Sequence, residues 1–489
     1  MFREERALFA FRLALFIAAA TVLSLLFIRA ASFFDLSWDS LSYHLPYASR
    51  LAGLCPETCF RMDADLELFY RSFPVAAEFL QGFFWRVTSI PQAANLVGFF
   101  SLLALVLYLA VAWRIDFPWA VFGLLAIPMV QIHATVSYVD LPANVAATIA
   151  LLALAAILLE RPLGKGHRIV FVAAVVFLGN SKIQMMPIAG VTAVAYLVLI
   201  NRFAPENGPG VWRIGRGGNA GVFWGGLLLL LVSATGIRNL LYFANPVFPV
   251  QLSLFGIDLL PGVIAPMAGN SVSTQLAETP RFVRWLLSVS EWAAFEGRSI
   301  PYSLDQWTPS QSSPSFRMGG YFAAYVFTTV AMVLWSAVRL ETRKRSRLLV
   351  FLVAMTAGTG LMPASHELRY YMFWMLVLVS LNLHFIGKAG AEAGGDRRLS
   401  RIGQMAVLLC FAAVTTITGG HYLEPRTRNV REVVDRRGIS QFVTERVKDG
   451  DTICVADRSR AFLYADIFQP GRDYHVLQYD DPACDLRVE

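Results

Sequence analysis

Charged side chains are scarce in this chain. Asp, Glu, Lys and Arg make up 16% of its 489 residues, whereas hydrophobic residues make up 56%. The mean hydropathy is +0.52, and soluble globular domains carry about 25% charged residues. The composition therefore excludes a soluble globular fold and predicts a polytopic membrane protein.

Cysteine is also rare, with five in the whole chain. In the segment Cys55-Pro-Glu-Thr-Cys59 three residues separate the thiols and no His follows at ligand spacing, so it is neither a CxxC redox motif nor a zinc motif. Cys55, Cys59, Cys454 and Cys484 fall on the outer side in the topology below. There they can oxidise in pairs or stay as free thiols.

A nucleic-acid partner is not indicated, although the net charge is +7. The chain lacks a basic face interleaved with aromatic residues and lacks any nucleic-acid-binding motif. Membrane topology, with basic loops between apolar segments, explains most of this net charge.

Long apolar runs are what the chain does have. Each of about eleven is long enough to cross a bilayer, and the first predicts a retained anchor because no cleavage site follows it. The predicted spans are 7–29, 93–113, 117–135, 139–160, 168–183, 185–201, 221–242, 319–340, 348–363, 370–387 and 402–420.

Loop charge sets the predicted orientation, because Lys and Arg accumulate on the cytoplasmic side. Five basic loops fall on one side, which predicts a bacterial inner-membrane protein with a cytoplasmic N-terminus and a periplasmic C-terminus. The stretch from Pro74 to Ile90 contains Glu78 and Arg86, so we interpret it as an interfacial helix and leave open whether it spans. The basic loops are 1–6, 161–168, 202–216, 341–347 and 388–401.

The outer side carries the longer connections, a first outer loop at 30–92 and a second at 243–318. In the tail, 421–489, charged residues become frequent, and 452–456 has the pattern of a short strand. We therefore predict an all-α transmembrane domain over 1–420 and a small outer α/β appendage over 421–489.

Ionisable residues at the outer ends of spans are candidates for function, because charge near the membrane is costly. The predicted topology brings them to one face, although each could also be a headgroup anchor. Arg and Lys there suit a phosphate, and a carboxylate suits general-base catalysis. They are Asp39, Arg71, Asp140, Lys182, Arg238, His366, Glu367 and Arg369.

The run Asp39-Ser40-Leu41-Ser42-Tyr43 resembles the Asp-x-x-x-Tyr start of the first outer loop in GT-C membrane glycosyltransferases. The resemblance is to aminoarabinose transferases and protein O-mannosyltransferases in particular. It implies a GT-C fold and a catalytic Asp39. Ser40 stands where the family has a second acid, so the resemblance implies no particular metal and leaves a divalent ion open.

Further segments resemble the family in the same order, and together the resemblance covers roughly 7–390. It implies a phosphate contact for Arg71, a position beside the active centre for Asp140, and an Arg-Tyr entry to a late span at Arg369 and Tyr370. The segments are Arg71 to Ala77, Tyr138 to Ala143, Gly179 to Lys182, Asn245 to Pro249 and His366 to Tyr370.

The predicted function is inverting transfer of a hexosyl or pentosyl group from a polyprenyl-phosphate donor to a lipid, glycan or protein acceptor on the outer side. Asp39 is the predicted base, and Asp140 is the second predicted catalytic residue. No second His lies at helical spacing from His44, which favours a hydrogen-bonding role over metal ligation. The predicted substrate-binding residues are Tyr43, His44, Arg71, Lys182, Arg238, His366, Arg369 and Tyr370.

Two alternatives remain at this point. A lipid-linked saccharide transporter or flippase would show polar residues within several spans and internal symmetry. A glycan ligase or polymerase would share the donor chemistry but relies on a large outer loop rich in Arg and His, and the loop 243–318 contains no His.

Overall fold

The computed structural model describes residues 2–161, 164–203, 219–254, 257–263, 279–290, 320–391 and 397–488. Within them the chain is mainly helical. The α-helices are α1 (Phe2–Ser32), α2 (Leu45–Leu51), α3 (Ala64–Ser72), α4 (Ala76–Thr88), α5 (Leu96–Ala112), α6 (Phe117–Leu125), α7 (Pro128–His133), α8 (Asp140–Leu158), α9 (Lys165–Gly179), α10 (Met186–Phe203), α11 (Asn219–Val232), α12 (Ala234–Phe243), α13 (Arg281–Val289), α14 (Ala323–Val338), α15 (Thr342–Leu361), α16 (Phe373–Ala391), α17 (Arg397–Ile417), α18 (Val430–Arg436) and α19 (Ile439–Arg446).

Six short strands form two sheets in the same described residues. Three 3₁₀ turns, Pro91–Asn95, Ile183–Met185 and Leu368–Tyr371, precede long helices, and a π-helical turn, Ser40–His44, precedes α2. The strands are β1 (Phe60–Arg61), β2 (Leu252–Leu254), β3 (Ile257–Leu260), β4 (Thr452–Val455), β5 (His475–Leu477) and β6 (Leu486–Val488).

Five helical segments of the described chain are long and apolar enough to cross a membrane: Glu5–Ser32, Pro91–Ala112, Asp140–Leu158, Ile183–Phe203 and Arg398–Ile417. A sixth span results if Val222–Val232 and Ala234–Phe243, bent by 62°, are counted as one. Two shorter apolar helices are Ala323–Val338 and Phe373–Ala389. These segments make the chain a multi-pass membrane protein, while the count of about eleven spans is not confirmed.

The predicted span 117–135 shows why apolar length and helix length differ. Its residues form α6 and α7, separated at Ala126 and Ile127, because a residue that precedes a proline such as Pro128 disfavours helical backbone. The amide of Gln131 then donates to the free carbonyl of Leu125 at 2.6 Å. Such a break is tolerated at membrane depth only where side chains satisfy the backbone.

Helix α4 covers most of the ambiguous stretch from Pro74 to Ile90. Its 13 residues extend about 20 Å at 1.5 Å per residue, which is too short for a hydrocarbon core of about 30 Å. Phe79, Phe83 and Val87 form an exposed stripe at four-residue spacing, whereas Glu78 is buried. This amphipathic pattern agrees with an interfacial helix.

The chain divides into two compact units. Unit 1 comprises Met1–Ser24, Leu102–Gln131 and Ala143–His421, and unit 2 comprises Leu25–Ser101, Ile132–Pro142 and Tyr422–Glu489. The tail therefore shares a unit with the first outer loop. The separate domain predicted for 421–489 stays a prediction, as does the extent of the second outer loop, of which 255–256, 264–278 and 291–318 lie outside the described residues.

Unit 2 contains a parallel sheet with the strand order β1-β5-β4-β6. Phe60 pairs with Val476, and Ile453 pairs with both Val476 and Leu486. A strand of the first outer loop thus completes a sheet formed by the tail. Buried apolar side chains from both segments, including Phe60 and Phe462, pack into one core.

The four cysteines predicted on the outer side pair as Cys55–Cys59 and Cys454–Cys484, so they form disulfides and are not free thiols. The first disulfide lies directly before β1, and the second joins β4 to the residues before β6. Cys410, which the sequence places within a span, is a buried free thiol.

Removing the longer disulfide, with Cys454→Ser and Cys484→Ser together, is expected to destabilise unit 2 more than removing the shorter one. The sequence separations are 30 and 4 residues, and closure entropy predicts losses of about 4 and about 2 kcal/mol. Equilibrium unfolding of both double variants in mixed micelles measures the difference. Equal losses would contradict the entropic explanation.

Candidate active site

A buried carboxylate that the sequence analysis did not select, Asp35, organises the start of the first outer loop. Its Oδ1 accepts from the backbone N–H of Ser37 at 3.0 Å and its Oδ2 from the hydroxyl of Ser37 at 2.7 Å. The hydroxyl of Ser40 also donates to Oδ2. Both groups of Ser137 donate to the same oxygen, the backbone N–H at 3.2 Å and the hydroxyl at 3.4 Å.

These four residues, Asp35, Ser37, Ser40 and Ser137, are called the Asp35 cluster below. Hydrogen bonds to a charged acceptor are the stronger ones, and Asp35 is 5% exposed. The cluster therefore fixes the segment 37–40 against the segment before α8. The amide of Gln81, on α4, strengthens this arrangement by donating to the carbonyl of Ser137 at 2.6 Å.

The two predicted catalytic acids flank this cluster within unit 2. Asp39 precedes Ser40 directly, and Asp140 follows Ser137 by three residues as the first residue of α8. Asp39 is 9% exposed and Asp140 is 1% exposed. The N-terminus of a helix favours negative charge, which accounts for the place of Asp140. Asp35 thus holds the residue next to Asp39 and a residue three positions before Asp140.

The predicted residues Tyr43 and His44 lie on the π-helical turn that begins at Ser40. Nδ1 of His44 is 3.0 Å from Oε1 of the buried Glu78. This contact fixes the orientation of the His44 ring. The ring of Tyr43 lies 4.3 Å from that of His44, and the ring of Tyr138 lies 6.0 Å from it.

A close approach of two helices makes this His–Glu contact possible. A Cβ atom on Gly82 would lie 2.3 Å from the carbonyl oxygen of Ala48, so α4 can pack on α2 only with glycine at that position. Tyr47, on α2, donates to the carbonyl of Leu66 at 2.7 Å. Burial and then the charge of Glu78 raise the pKa of Tyr47 well above its usual value, so this hydroxyl keeps its proton.

The tail supports the turn that carries Tyr43 and His44. The hydroxyl of Ser42 donates to the carbonyl of Arg458 at 3.4 Å. The side-chain amide of Gln478 donates to the carbonyl of Ser42 at 3.2 Å and to that of Arg458 at 2.9 Å. The C-terminal residues of unit 2 thus help to position a predicted binding turn.

In unit 1 the structure brings three predicted substrate-binding residues together. Nζ of Lys182 lies 4.2 Å from the ring centroid of Tyr370, and Cζ of Arg369 lies 4.9 Å from it. Nη2 of Arg369 is 3.3 Å from the hydroxyl of Tyr370. Two cations beside one aromatic ring form a group that can attract an anion.

The backbone around this cation pair is held by Asn144. Its amide donates to the carbonyl of Arg369 at 2.8 Å, and its side-chain oxygen accepts from the N–H of Phe373 at 2.8 Å. Asn144 is fully buried on α8. It therefore fixes the 3₁₀ turn Leu368–Tyr371 where that turn enters α16.

Arg238, also in unit 1, donates from Nε and Nη2 to Oδ1 of Asn239, at 3.2 and 3.1 Å. The side chain of Asn180, two residues before Lys182, accepts from the N–H of Thr235 at 3.0 Å. This bond ties the turn before Lys182 to the start of α12. The bond therefore connects the turn next to Lys182 with α12, the helix that carries Arg238.

His366 lies in the loop between α15 and α16 and is 4% exposed. Its carbonyl accepts from the hydroxyl of Ser288 at 2.8 Å. Burial, together with the nearby charge of Arg284, lowers the pKa of His366 to about 4. Oε1 of Glu367 is 3.9 Å from Nε2, too far for a hydrogen bond, so burial dominates.

The stability of the protein is expected to fall as the pH drops from 6.5 to about 4, in part because of His366. Its folded-state pKa, about 4, lies below the ordinary 6.5, so the unfolded chain takes up the proton first. The loss amounts to about 3 kcal/mol at the acid end. Unfolding of His366→Gln should depend less on pH over this window than unfolding of the wild type, and parallel curves would contradict the assignment.

Arg71 is an exposed residue in the last turn of α3 and lines a cavity of unit 2 that also contains several acids. Within unit 2 the structure gathers Tyr43 and His44 by direct contact and connects Asp39 and Asp140 through the Asp35 cluster. Within unit 1 it gathers Lys182, Arg369 and Tyr370.

Asp35 and Glu78 are the residues that sequence reasoning missed. Asp35-Leu-Ser37 is the pattern of an acid that binds the backbone two residues on, and Glu78 is an acid within an apolar stretch. Both patterns are visible in the sequence, but neither shows which distant residue the carboxylate will contact. Ser137 is 102 positions from Asp35, and Glu78 is 34 positions from His44.

The described residues contain two groups of Cys and Asp side chains close enough to ligate a metal ion: Cys55, Cys59 and Asp466, and Cys454, Asp480 and Cys484. Both pairs of cysteines form disulfides. A disulfide sulfur is not a thiolate, and the thiolate is the metal ligand. We therefore assign these groups a structural role.

No protein-family model matches the chain, and no curated protein matches it. Among solved structures the chain is similar to ArnT from Cupriavidus metallidurans in the apo state, with 13% identity and a TM-score of 0.49 over 95% of this chain and 89% of that one. ArnT is an aminoarabinose transferase of the GT-C class.

Proposed function

We propose that this chain is a membrane glycosyltransferase of the GT-C class. It takes a hexosyl or pentosyl group from a polyprenyl-phosphate donor and passes it, with inversion, to a hydroxyl of an acceptor on the periplasmic side of a bacterial inner membrane. The observation that carries the proposal is the Asp35 cluster. It holds the buried acids Asp39 and Asp140 at neighbouring anchor points in a chain whose composition is that of a membrane protein.

In the proposed reaction Asp39 accepts the proton of the acceptor hydroxyl while the oxygen attacks the anomeric carbon. The bond from that carbon to the phosphate oxygen breaks, and its electron pair leaves with the phosphate. A phosphate leaves as a stable anion, so one base suffices and no acid is needed at the leaving group. Asp140 accepts a hydrogen bond from the acceptor and holds it for attack.

The two cations beside the ring of Tyr370 are the proposed contact for the donor phosphate. Lys182 supplies a point charge and Arg369 a planar guanidinium, two complementary ways of binding an anion. Arg238 adds charge on the neighbouring element, and His366 stays neutral at pH 7 and offers a hydrogen bond rather than charge. Tyr43 and His44 contact the acceptor beside Asp39.

The disulfides support the proposed side of the membrane. Structural disulfides persist in oxidising compartments and are rare in the cytosol. Both lie in unit 2, which also carries Asp39 and Asp140. The basic loops of the sequence favour the same orientation, with the N-terminus cytoplasmic and the C-terminus periplasmic.

The experiment is a transfer assay with the purified full-length protein in lipid vesicles, a radiolabelled polyprenyl-phosphate sugar, and a cell-envelope extract as acceptor. We expect label in a new product and release of one polyprenyl phosphate per sugar transferred. Movement of intact labelled donor across the vesicle without product would contradict the proposal and indicate a flippase. Release of a polyprenyl diphosphate would indicate a ligase or polymerase.

A further inference from the structure

We infer that unit 2 contains a binding cavity for a neutral saccharide, and that this saccharide is the acceptor. The assignment of the saccharide as the acceptor rests on the proposed function, whereas the binding of a saccharide does not. The cavity has a volume of about 610 Å³, within the range of about 300–1,000 Å³ for small-molecule sites. It is called the sheet cavity below, and it is lined by Glu57, Arg61, Met62, Asp63, Ala64, Asp65, Glu67, Leu68, Arg71, Arg458 and Tyr479.

The place of the sheet cavity follows from the parallel sheet. β1 ends at Arg61, β4 at Val455 and β5 at Leu477, and the pairs β1–β5 and β4–β5 are parallel. Several lining residues follow these ends: 62–65 come after β1, Arg458 after β4 and Tyr479 after β5. Ligands of open parallel sheets bind outside the carboxyl ends of the strands, so the sheet cavity lies where such a fold places a ligand.

The charges of the wall nearly balance. Four acids and three arginines line the cavity, and three of the acids are paired. Nε of Arg458 lies 2.6 Å from Asp63, and Nε of Arg61 lies 3.3 Å from Glu57. Glu67 holds Arg50 by two hydrogen bonds, at 2.6 and 2.9 Å. A wall so balanced does not select an ion.

The same wall suits hydroxyl groups. A paired carboxylate keeps lone pairs and a paired guanidinium keeps N–H groups, so both still bind hydroxyls. Asp65 and Arg71 make no ion pair within the described residues and add one acceptor and one set of donors. The half-buried Tyr479 offers a ring for the apolar face of a sugar. A neutral saccharide, which is uncharged and rich in hydroxyl groups, fits such a wall.

The wall is preorganised, which lowers the cost of binding. Asp63 caps α3 by accepting from the N–H of Leu66 at 3.0 Å, and Glu67 accepts from the N–H of Met62 at 3.0 Å. Glu57 lies within the turn closed by the disulfide Cys55–Cys59. The shape of the sheet cavity therefore does not depend on a bound ligand.

The sheet cavity is connected to the turn that follows the proposed base. The carbonyl of Arg458 accepts from Ser42, and Gln478, next to Tyr479, donates to the carbonyl of Ser42. Ser42 stands three residues after Asp39. A saccharide bound here contacts Arg458 and Tyr479, which are joined to the turn after Asp39 by the hydrogen bonds of Ser42 and Gln478, and this connection is why we assign it as the acceptor.

The test measures binding without donor, by titration calorimetry of the full-length protein in nanodiscs with maltotriose, cellotriose, mannotriose and chitotriose. We expect at least one trisaccharide to bind, and Tyr479→Ala and Asp65→Asn each to weaken it about tenfold. Asp473→Asn, an exposed acid just before β5 and so at the opposite end of that strand, is the matched control and should bind normally. Inorganic phosphate is the anionic probe.

Binding of none of the four trisaccharides would overturn the inference, as would binding that Tyr479→Ala and Asp65→Asn leave unchanged or preferential binding of phosphate. Failure of the proposed function is seen separately in the transfer assay. If a trisaccharide binds in the sheet cavity but no sugar is transferred, the site stands and the transferase proposal falls. If transfer occurs while the cavity variants bind and react normally, only this inference falls.

Discussion

Replacing Asp39 with asparagine is expected to lower kcat for sugar transfer by about 10²–10⁴-fold, the usual contribution of a general base. The amide keeps the size of the side chain but cannot accept the acceptor's proton. KM for the donor should change little, because the proposed phosphate contacts are other residues. Steady-state transfer of label from a polyprenyl-phosphate sugar measures both constants.

The matched control is Asp116→Asn, at an exposed acid that precedes α6. It should transfer sugar at the wild-type rate. The Asp39→Asn protein must also unfold at the wild-type temperature, so that lost activity reflects chemistry rather than structure. A correctly folded Asp39→Asn protein with full kcat would rule out Asp39 as the base.

Asp35→Ala is expected to cost stability as well as activity. The substitution leaves the buried hydroxyls of Ser40 and Ser137 and two backbone N–H groups without their charged acceptor. Hydrogen bonds to charged groups contribute about 1.5–3 kcal/mol each but are not additive, so we expect a loss of about 3–5 kcal/mol. Equilibrium unfolding in mixed micelles measures it.

Activity of the Asp35→Ala protein, assayed below its unfolding temperature, should fall about 10²-fold. The segment that carries Asp39 loses its fixed position, and a misplacement of about 1 Å has an effect of this size. Asp473→Asn, at an exposed acid of the same unit, should change stability by less than about 0.5 kcal/mol. Similar losses in both variants would show that the Asp35 cluster has no special role.

Much of the candidate site could be read from the sequence, because membrane topology restricts where charge can stand. Asp39, Tyr43 and His44 occupy one turn, and Arg369 and Tyr370 adjoin in sequence, so local motifs were sufficient to select them. The helical, membrane-embedded character followed from composition. The short strand expected near 452–456 is β4, Thr452–Val455.

The remainder depends on contacts between distant parts of the chain. Nothing in the local pattern of Asp35 shows that Ser137 will donate to it, or that β1 of the first outer loop will pair with β5 of the tail. The broken stretch 117–135 is as apolar as an intact span, and only its proline shows where the helix ends. The pattern of apolar residues shows which side chains are buried, whereas the contacts between distant residues depend on the whole fold.

The stereochemistry of transfer is the most direct measurement of the central claim, that a single carboxylate acts as base in a direct displacement. The sugar is transferred from a donor of known anomeric configuration by the purified protein, and the anomeric carbon of the product is examined by NMR. A single displacement predicts inversion in every product molecule. Retention of configuration would exclude a single back-side displacement and would contradict the account.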